Sequence, residues 1–362
     1  MNIRIETLDT PISRAEFDVL TRNEPVLHPA RFPEWSGITA RGMRQKIVNV
    51  LARDADSGRL LGFLPMIFMR SPLFGRHLIS SPYLNVGGCF VPTELNEEIR
   101  AEIDAKLIDA AVLAADRLDV NYLELRNDRE ITHPALTFER RSKVLMRLAL
   151  PKTSEELWDL LKAKVRNQVR KGEKAGLRAE WGRGELVRDF YHVFAATMRN
   201  VGTPVYSRTL FEEMFARLGE SAEICVVRLP DGRITSSAVL LHGKGITEVP
   251  SAGTLPFANA FCANMFMYWN LLKHTTDTRG FECESPVTFD FGRSSVGCPT
   301  WRFKRQWGAA EFPIVWKYYV RRGSMDDVRP DNTSYGLAIR VWKHLPVWVT
   351  RLIGPEIVRG IP

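Results

Sequence analysis

Cysteine is scarce in this 362-residue chain, and its spacing excludes two kinds of site. The five cysteines include no Cys-x-x-Cys pair, so the chain offers neither a zinc-ligand pattern nor a disulfide framework. They are Cys89, Cys225, Cys262, Cys283 and Cys298. An odd number of cysteines suits a reducing compartment. No run approaches the roughly 20 apolar residues of a membrane-spanning helix, and the first residues show no signal-peptide pattern. We therefore expect a cytoplasmic protein.

Motifs of several large enzyme classes are absent as well. The sequence has no Gly-x-Ser-x-Gly, His-Glu-x-x-His, Walker A or Gly-x-Gly-x-x-Gly segment, and its seven histidines form no spaced ligand pair. Hydrolases, metalloenzymes and nucleotide-cofactor enzymes are therefore disfavoured. We expect no metal site and no covalently bound cofactor.

Positive charge predominates, with 50 basic against 42 acidic side chains and a formal net charge of +8. This balance favours anionic partners such as phosphates, nucleic acid or an acidic membrane surface. A basic protein without a polyanionic partner explains it equally well until the charge proves to be clustered. The chain length predicts two domains, which we place at residues 1–150 and 151–320, followed by a linker and tail at 321–362.

Hydrophobic periodicity predicts similar element orders in the two halves. In the first half, strand patterns at 46–52 and 60–69 suggest a hairpin, Thr93 begins a long helix, and strands follow at 120–126 and 144–150. In the second half, strands at 224–227, 234–242 and 246–249 form an antiparallel meander, followed by a helix at 257–274 and a strand at 288–291. These patterns alone indicate an α/β or α+β protein with mixed sheets.

A strongly basic helix follows Thr153 and Glu156, which have capping-box spacing. Apolar residues at intervals of four predict its buried stripe: Leu157, Leu161, Val165 and Val169. Cations at the same interval lie beside that stripe: Lys162, Arg166, Arg170 and Lys174. Like charges at this spacing cost a few tenths of a kcal/mol per pair unless an anion compensates them. The helix therefore predicts a phosphate-bearing ligand, and a merely solvated face is the alternative.

The most distinctive segment runs from Thr288 to Gly308 and joins a short strand, a loop rich in Gly and Ser, and a basic aromatic helix. Asp290 and Arg293 bring an acid and a cation to one turn. Asp290 either holds a substrate amine and accepts its proton, or is a structural acid paired with Arg293 and the loop amides. Ser294 and Ser295 either donate to an acyl or phosphate oxygen or stabilise the turn.

This segment resembles the Phe-Asp-Phe-Gly-Arg-Ser…Phe-Lys-x-x-Trp-Gly signature of FemAB-related proteins, which are GNAT-like acyltransferases. Within that group it is most similar to the FemAB-like proteins associated with exosortase and PEP-CTERM systems. The run Arg166–Gly172 and the run Gly202–Tyr206 match two further motifs of the family. The resemblance implies tandem GNAT-like domains with an amphipathic helical tail.

The resemblance also implies roles for individual residues. Lys304 corresponds to the lysine that neutralises charge on the donor or on the tetrahedral oxyanion, and a surface lysine is its alternative. A set on the basic helix would bind the anionic substrate: Arg166, Asn167, Arg170 and Lys171. A second set would line the acceptor-side loop and the donor side of the GNAT module: Tyr206, Arg208, Ser251, Gly253, Asn264 and Tyr268. The usual GNAT phosphate loop is missing, which disfavours acetyl-CoA as donor.

The tail from Tyr335 to Ile353 combines Trp342 and Trp348 with several cations. Such a helix either lies on an acidic bilayer surface or packs on the body of the protein. The first option would make the protein peripheral on the inner face of the cytoplasmic membrane.

Together these features predict transfer of an acyl or aminoacyl group to an amine or hydroxyl of a cell-envelope or exopolysaccharide precursor. The acyl donor stays open between aminoacyl-tRNA, which makes tRNA a candidate partner, and acyl-CoA. Two alternatives remain: an acyl-CoA-dependent N-acetyltransferase, and a non-catalytic scaffold of a membrane-associated polysaccharide or protein-sorting system. The transferase hypothesis requires the signature turn and the basic helix to line a common cleft.

Overall fold

The computed structural model describes residues 2–280, 285–323 and 336–361. Cys283 and most of the predicted linker lie outside these residues. No helix in the described ranges is both long and apolar enough to cross a bilayer.

The first module combines two sheets with three helices. Its three-stranded antiparallel sheet has the order β1-β3-β4, and its six-stranded sheet has the order β2-β5-β6-β7-β16-β8. The strands are β1 Ile3–Leu8, β2 Lys46–Ile47, β3 Asn49–Asp54, β4 Leu60–Leu64, β5 Met66–Ser71, β6 Gly75–Ser80, β7 Tyr122–Asn127, β8 Phe138–Arg140 and β16 Val315–Val320. The helices are α1 Arg14–Leu20, α2 Glu34–Gly42 and α3 Glu97–Arg117.

The second module contains one seven-stranded sheet with the order β10-β11-β12-β13-β14-β9-β15. The strands are β9 Val144–Ala149, β10 Arg178–Gly182, β11 Ala222–Arg228, β12 Ile234–His242, β13 Ile246–Thr254, β14 Thr288–Ser294 and β15 Ala310–Pro313. The helices are α4 Ser154–Leu160, α5 Ala163–Lys174, α6 Val187–Val201, α7 Arg208–Leu218, α8 Ala263–Arg279 and α9 Pro299–Arg305. The predicted meander is confirmed as β11, β12 and β13, paired antiparallel in sequence order.

The two modules exchange a strand. β9, which precedes the expected boundary at residue 150, lies between β14 and β15 in the second sheet. β16, which follows the second module in sequence, lies between β7 and β8 in the first sheet. A division at residue 150 therefore separates β9 from the sheet to which it belongs, because its pairing partners on β14 and β15 lie 139 to 169 positions later in the chain.

The largest buried cluster lies between the modules. It contains Phe17 and Trp35 from the first module and Phe190 and Phe211 from the second. The outer faces of the two sheets have separate cores, one under α3 and one under α8. The modules consequently share apolar surface that neither could bury alone.

Each module contains one pair of parallel strands that separates after three residue pairs. In the second module, β13 pairs with β14 only from Ile246 opposite Thr288 to Glu248 opposite Asp290. β13 then continues to Thr254 and β14 to Ser294 without pairing with each other. The result is a wedge-shaped gap between β13 and β14.

Several local predictions need correction. The strand expected at 60–69 is two strands in different sheets, divided at Pro65, which has no N–H for a ladder bond. Asn96, not Thr93, caps α3, because its Oδ1 accepts from the N–H of Ile99 at 2.9 Å. The basic helix is likewise two helices, since the extended backbone at Leu161 separates α4 from α5.

The tail forms α10 Gly336–His344 and α11 Val347–Val358. Both helices contact α6. A guanidinium N–H of Arg199 donates to the carbonyl of Lys343 at 3.0 Å, and the Arg351 guanidinium lies 5.3 Å from the ring centre of Tyr191. The tail is therefore docked on the second module over one of its faces.

Candidate active site

Asp290 is a fully buried carboxylate in the middle of β14. Arg147 lies opposite it on β9 and donates from Nε to Oδ2 at 2.8 Å. The N–H of Gly292 donates to Oδ1 at 2.7 Å, at a bulge where Gly292 has a φ of 76°. Of the contacts expected for a structural Asp290, one backbone amide is present, while the paired cation is Arg147 and not the predicted Arg293. The cation comes from the exchanged strand.

Glu248 is a second buried carboxyl, directly opposite Asp290 on β13. Its Oε1 accepts from Nδ2 of Asn85 at 3.0 Å, whereas its Oε2 has no hydrogen-bond partner in the described residues. Burial and the neighbouring charge of Asp290 raise the pKa of Glu248 to about 8. Burial also raises the pKa of Asp290, with Arg147 opposing the effect. Because Asp290 has a cation and an amide while Glu248 has only an amide, Glu248 is the member of the pair that more readily holds a proton.

Lys304 brings a buried cation to the same gap. Its Nζ donates to the carbonyls of Gly292 and Arg293, each at 3.0 Å, and only 8% of its surface is exposed. Burial lowers the pKa of Lys304 to about 8, with the charge of Asp290 opposing the effect. The ammonium group forms no ion pair within the described ranges, so its remaining proton is available to a ligand.

Aromatic packing holds α9, and with it Lys304, against β14. Phe303 and Trp307 contact Tyr268 of α8, with ring centres 4.9 and 6.4 Å apart. Tyr268 also stacks on Phe291, and burial raises its pKa to about 12. Tyr268 was predicted to bind substrate, but the structure places it in the core that positions Lys304.

His28 reaches the carboxyl pair from the first module. Leu27 and Lys244 exchange backbone hydrogen bonds of 2.9 and 3.1 Å, which seat this segment at the turn between β12 and β13. His28 Nδ1 accepts from the N–H of Ala30 at 3.2 Å, so in the neutral ring the proton lies on Nε2. That Nε2 is 3.7 Å from Glu248 Oε2. Burial, followed by the charge of Arg147, lowers the pKa of His28 to about 3, so the ring is neutral.

Sequence reasoning missed Glu248, His28 and Asn85. Glu248 had a weak signal, since it is a lone acid in an inner strand of the predicted meander. His28 and Asn85 had none, because their contacts with β13 join residues more than 160 positions apart, and nothing local marks them.

Other predicted site residues on the donor side have structural contacts. Ser251 and Gly253 lie within β13, not in a loop, and a side chain at Gly253 would come within 2.5 Å of Thr197 Oγ1. Asn264 accepts from the hydroxyl of Thr254 at 3.2 Å. Ser294 is buried without a hydrogen-bond partner for its hydroxyl in the described residues. The Lys143 ammonium donates to Ser295 Oγ at 2.5 Å.

Tyr206, from the predicted acceptor-side loop, lies near Arg293 of the signature segment, beside a cluster of aromatic rings. The ring centre of Tyr206 lies 5.0 Å from that of Tyr83. Burial raises the pKa of Tyr206, and the charge of Arg293 opposes this effect. Arg293 is exposed and stacks over Trp316 of the exchanged strand at 4.7 Å. Arg208 instead forms a surface ion pair with Glu212 at 2.8 Å. Tyr206 and Arg293 are therefore neighbours, while Arg208 points to a separate surface pair.

The basic helix lies apart from the signature turn. α5 packs on α8 through Gly172, whose added side chain would come within 2.7 Å of Phe266. Tyr268, two residues further along α8, faces β14 and α9 from roughly the opposite side of the helix. One cavity is lined by Arg76 and its neighbours and another by His28 and its neighbours, and no residue of α5 lines either of them. The expected common cleft is not found among the described residues.

The arginines of α5 contact α4 of the same protein. Arg166 donates to the carbonyls of Asp159 and Leu161 at 3.2 and 2.9 Å and so closes the end of α4. Arg170 lies over the ring of Trp158 at 5.4 Å. Asn167 and Lys171 are exposed. The predicted buried stripe is confirmed, since all four of its residues are buried.

Comparison with known proteins adds to this geometry. Residues 161–305 match the family described as "Acetyltransferase (GNAT) domain". No curated protein matches the sequence. Among solved structures, FemX superposes with a TM-score of 0.61 at 15% identity and covers 92% of this chain and 100% of its own.

Two other solved structures have the same architecture. A tandem GNAT protein from the clavulanic acid biosynthesis pathway has a TM-score of 0.52 at 10% identity and covers 89% of this chain and 100% of its own. N-myristoyltransferase of Saccharomyces cerevisiae, with bound myristoyl-CoA, has a TM-score of 0.52 at 12% identity. It covers 89% of this chain and 79% of its own. The chain has a tandem GNAT fold. At these identities the structural likeness establishes the fold alone.

Proposed function

We propose that this chain is a FemAB-type acyltransferase whose site does not include the basic helix. The sequence-based hypothesis required a cleft shared with that helix, which the described residues do not form, so the proposal depends instead on buried groups of β13, β14 and α9. It would move an acyl or aminoacyl group onto an amine or hydroxyl of a cell-envelope or exopolysaccharide precursor. One observation carries the proposal: Glu248, Asp290 and Lys304 meet where β13 and β14 separate. A buried acid pair of which one member readily holds a proton, next to a buried cation, has the components of acyl transfer.

The residues divide the reaction between them. The acceptor amine or hydroxyl attacks the carbonyl carbon of the donor and loses its proton to Asp290. Lys304 stabilises the oxyanion of the tetrahedral intermediate through its free N–H. Glu248 gives its proton to the leaving oxygen or sulfur as the bond from the carbonyl carbon breaks. The pair then again holds one proton, so atoms and charge balance over the cycle.

Both candidate donors remain in the proposal. The Phe-Lys signature supports an aminoacyl donor. The match of residues 161–305 to an acetyltransferase family and the fold shared with a myristoyl-CoA-binding structure support acyl-CoA. Saturable binding of coenzyme A, measured by calorimetry, would favour the second donor.

Substitution of Asp290 and Lys304 tests the reaction. The purified protein is incubated with aminoacyl-tRNA or acyl-CoA and a fraction of lipid- and nucleotide-linked sugar precursors, and mass spectrometry follows the added acyl mass. Asp290→Asn is expected to slow transfer by about 10²–10⁴-fold, and Lys304→Gln by about 10²–10³-fold.

Exposed residues of the same types, Asp56 and Lys46, supply the matched controls Asp56→Asn and Lys46→Gln. Wild-type rates in folded Asp290→Asn and Lys304→Gln proteins would refute the proposal. Normal polymer export in cells that carry those variants would favour the scaffold alternative instead.

A further inference from the structure

A cavity of about 220 Å³ lies between the modules next to the carboxyl pair. Its wall combines the segment before α2, the segment from Cys89 to Thr93, the start of α3, the two residues that follow β7, and one residue each of β9 and β13. It is smaller than the roughly 300 Å³ at which pockets for drug-sized ligands begin. The space therefore suits one headgroup of a ligand and not a whole nucleotide-linked sugar.

Arginines outnumber carboxylates among the residues that line the cavity. Four arginines line it, namely Arg31, Arg100, Arg129 and Arg147, against two carboxylates, Glu24 and Asp128. Three of the arginines are in ion pairs: Arg31 with Asp128 at 2.7 Å, Arg129 with Asp104 at 2.6 Å, and Arg147 with Asp290 at 2.8 Å.

Two of the four arginines, Arg100 and Arg147, have unused donors. Arg100 forms no ion pair within the described residues, and its Nε is buried without a hydrogen-bond partner. Arg147 uses Nε for Asp290, and its terminal Nη nitrogens form no hydrogen bond in the described ranges. The buried Nε–H of Arg100 is costly to leave without an acceptor, and a ligand in the cavity would supply one.

His28 supplies a further donor to the cavity. The ring lines the space, is 95% buried, and has its proton on Nε2 because Nδ1 accepts from Ala30. No hydrogen-bond partner for Nε2 exists among the described residues. Buried polar groups of folded proteins are nearly always paired, so an unpaired N–H at a cavity wall indicates a missing acceptor.

We propose that this cavity binds the phosphate group of an anionic ligand through Arg100, Arg147 and His28. The oxygens of a phosphate group would accept from the unused donors of Arg100 and Arg147 and from Nε2–H of His28. The same group would lie beside Glu248, since His28 Nε2 is 3.7 Å from its Oε2. That the phosphate belongs to the acceptor substrate rests on the transfer reaction proposed above, whereas the binding itself does not.

Titration with inorganic phosphate tests the cavity directly. We expect calorimetry on the full-length protein to show saturable binding, with a Kd on the order of 1 mM or tighter. Arg100→Gln should weaken the binding at least about tenfold, because it removes a charged donor. Arg188→Gln is the matched control, since Arg188 is exposed on α6, away from the cavity. Acetate should bind more weakly than phosphate because it carries a single charge.

A second measurement reports on the cavity itself. In protein labelled with ¹⁵N-histidine, the Nε2–H resonance of His28 should shift on addition of phosphate, and the shift should be reduced in Arg100→Gln. Equal phosphate affinity in wild-type and Arg100→Gln proteins, or acetate binding as tight as phosphate, would overturn the assignment. No acyl donor is present in the phosphate titration, so a lack of phosphate binding counts against the proposed cavity site alone. Phosphate binding in a protein that shows no transfer activity counts against the proposed reaction alone.

Discussion

Glu248 and Asp290 are neighbouring carboxylic acids whose charges are compensated to different degrees. Asp290 has Arg147 and an amide N–H, whereas Glu248 has only the side-chain amide of Asn85. Two like charges on directly opposite residues of neighbouring strands in a buried site disfavour the ionisation of both near neutral pH. The protonated form of Glu248 is therefore part of the native state.

The raised pKa of Glu248 has a consequence for stability. In the unfolded chain this residue ionises above its ordinary value of 4.5, whereas in the folded protein it holds its proton up to about pH 8. The folded state binds more protons in this window, so its stability falls as the pH rises from about 4.5 to 8.

Glu248→Gln isolates that contribution, because glutamine keeps the acceptor for Asn85 and cannot ionise. We expect the free energy of unfolding of the wild type, relative to the variant, to fall by up to about 1.4 kcal/mol per pH unit between pH 5 and 8. Urea unfolding of both proteins at several pH values measures the difference. A difference that stays constant over this range would mean that Glu248 is ionised in the folded protein.

At the scale of elements, the sequence signals succeeded for strands and helices with strong periodicity. The meander, the length of α3 and the buried stripe of the basic segment follow from apolar spacing. The division of the basic segment at Leu161 and of 60–69 at Pro65 needed the tertiary structure. In both places, one continuous apolar pattern in the sequence forms two separate elements. These two elements pack against different parts of the molecule.

The tail helices leave apolar side chains in solvent although they dock on α6. Trp348 is 69% exposed and Leu352 is 70% exposed, while Trp342 is buried. Arg340 and Lys343 are exposed on α10. Exposed aromatic and aliphatic residues beside cations suit the interface of an anionic bilayer. Docking on the protein and contact with a membrane, which the sequence presented as alternatives, are therefore compatible, and membrane contact remains a proposal.

Vesicle co-sedimentation tests the tail. The double variant Trp348→Ser, Leu352→Ser is expected to bind vesicles of anionic phospholipid at least about tenfold more weakly than the wild type, since it removes two large apolar anchors. Leu160→Ser is the matched control, because Leu160 is 74% exposed on α4, away from the tail. No binding by the wild type, or equal loss in the control, would exclude the tail as a membrane anchor.

At the scale of the whole molecule, strand exchange and a shared core bind the two modules together. β9 and β16 each complete the sheet of the other module, and the largest buried cluster contains residues of both. Neither sheet keeps all its strands if the modules separate. The chain should therefore unfold as one cooperative unit.

Differential scanning calorimetry checks this expectation through Phe211, which is 1% exposed on α7 within the shared cluster. Phe211→Ala should destabilise the molecule by about 3–5 kcal/mol and shift one single transition. The exposed Leu113 of α3 supplies the control Leu113→Ala, with little expected effect. Two resolved transitions, of which only one moves, would show that the modules unfold independently.

The sequence by itself determined the class of elements, the meander, the signature segment with Asp290 and Lys304, and the excess of positive charge. These follow from spacing and residue type, which act over a few positions along the chain. Only the tertiary structure decided that Arg147 pairs with Asp290, that Glu248, Asn85 and His28 complete the cluster, and that the basic helix lies elsewhere. Those outcomes depend on contacts between distant segments, created by the exchange of β9 and β16 and by the seating of the first module on β13, and no local pattern encodes them.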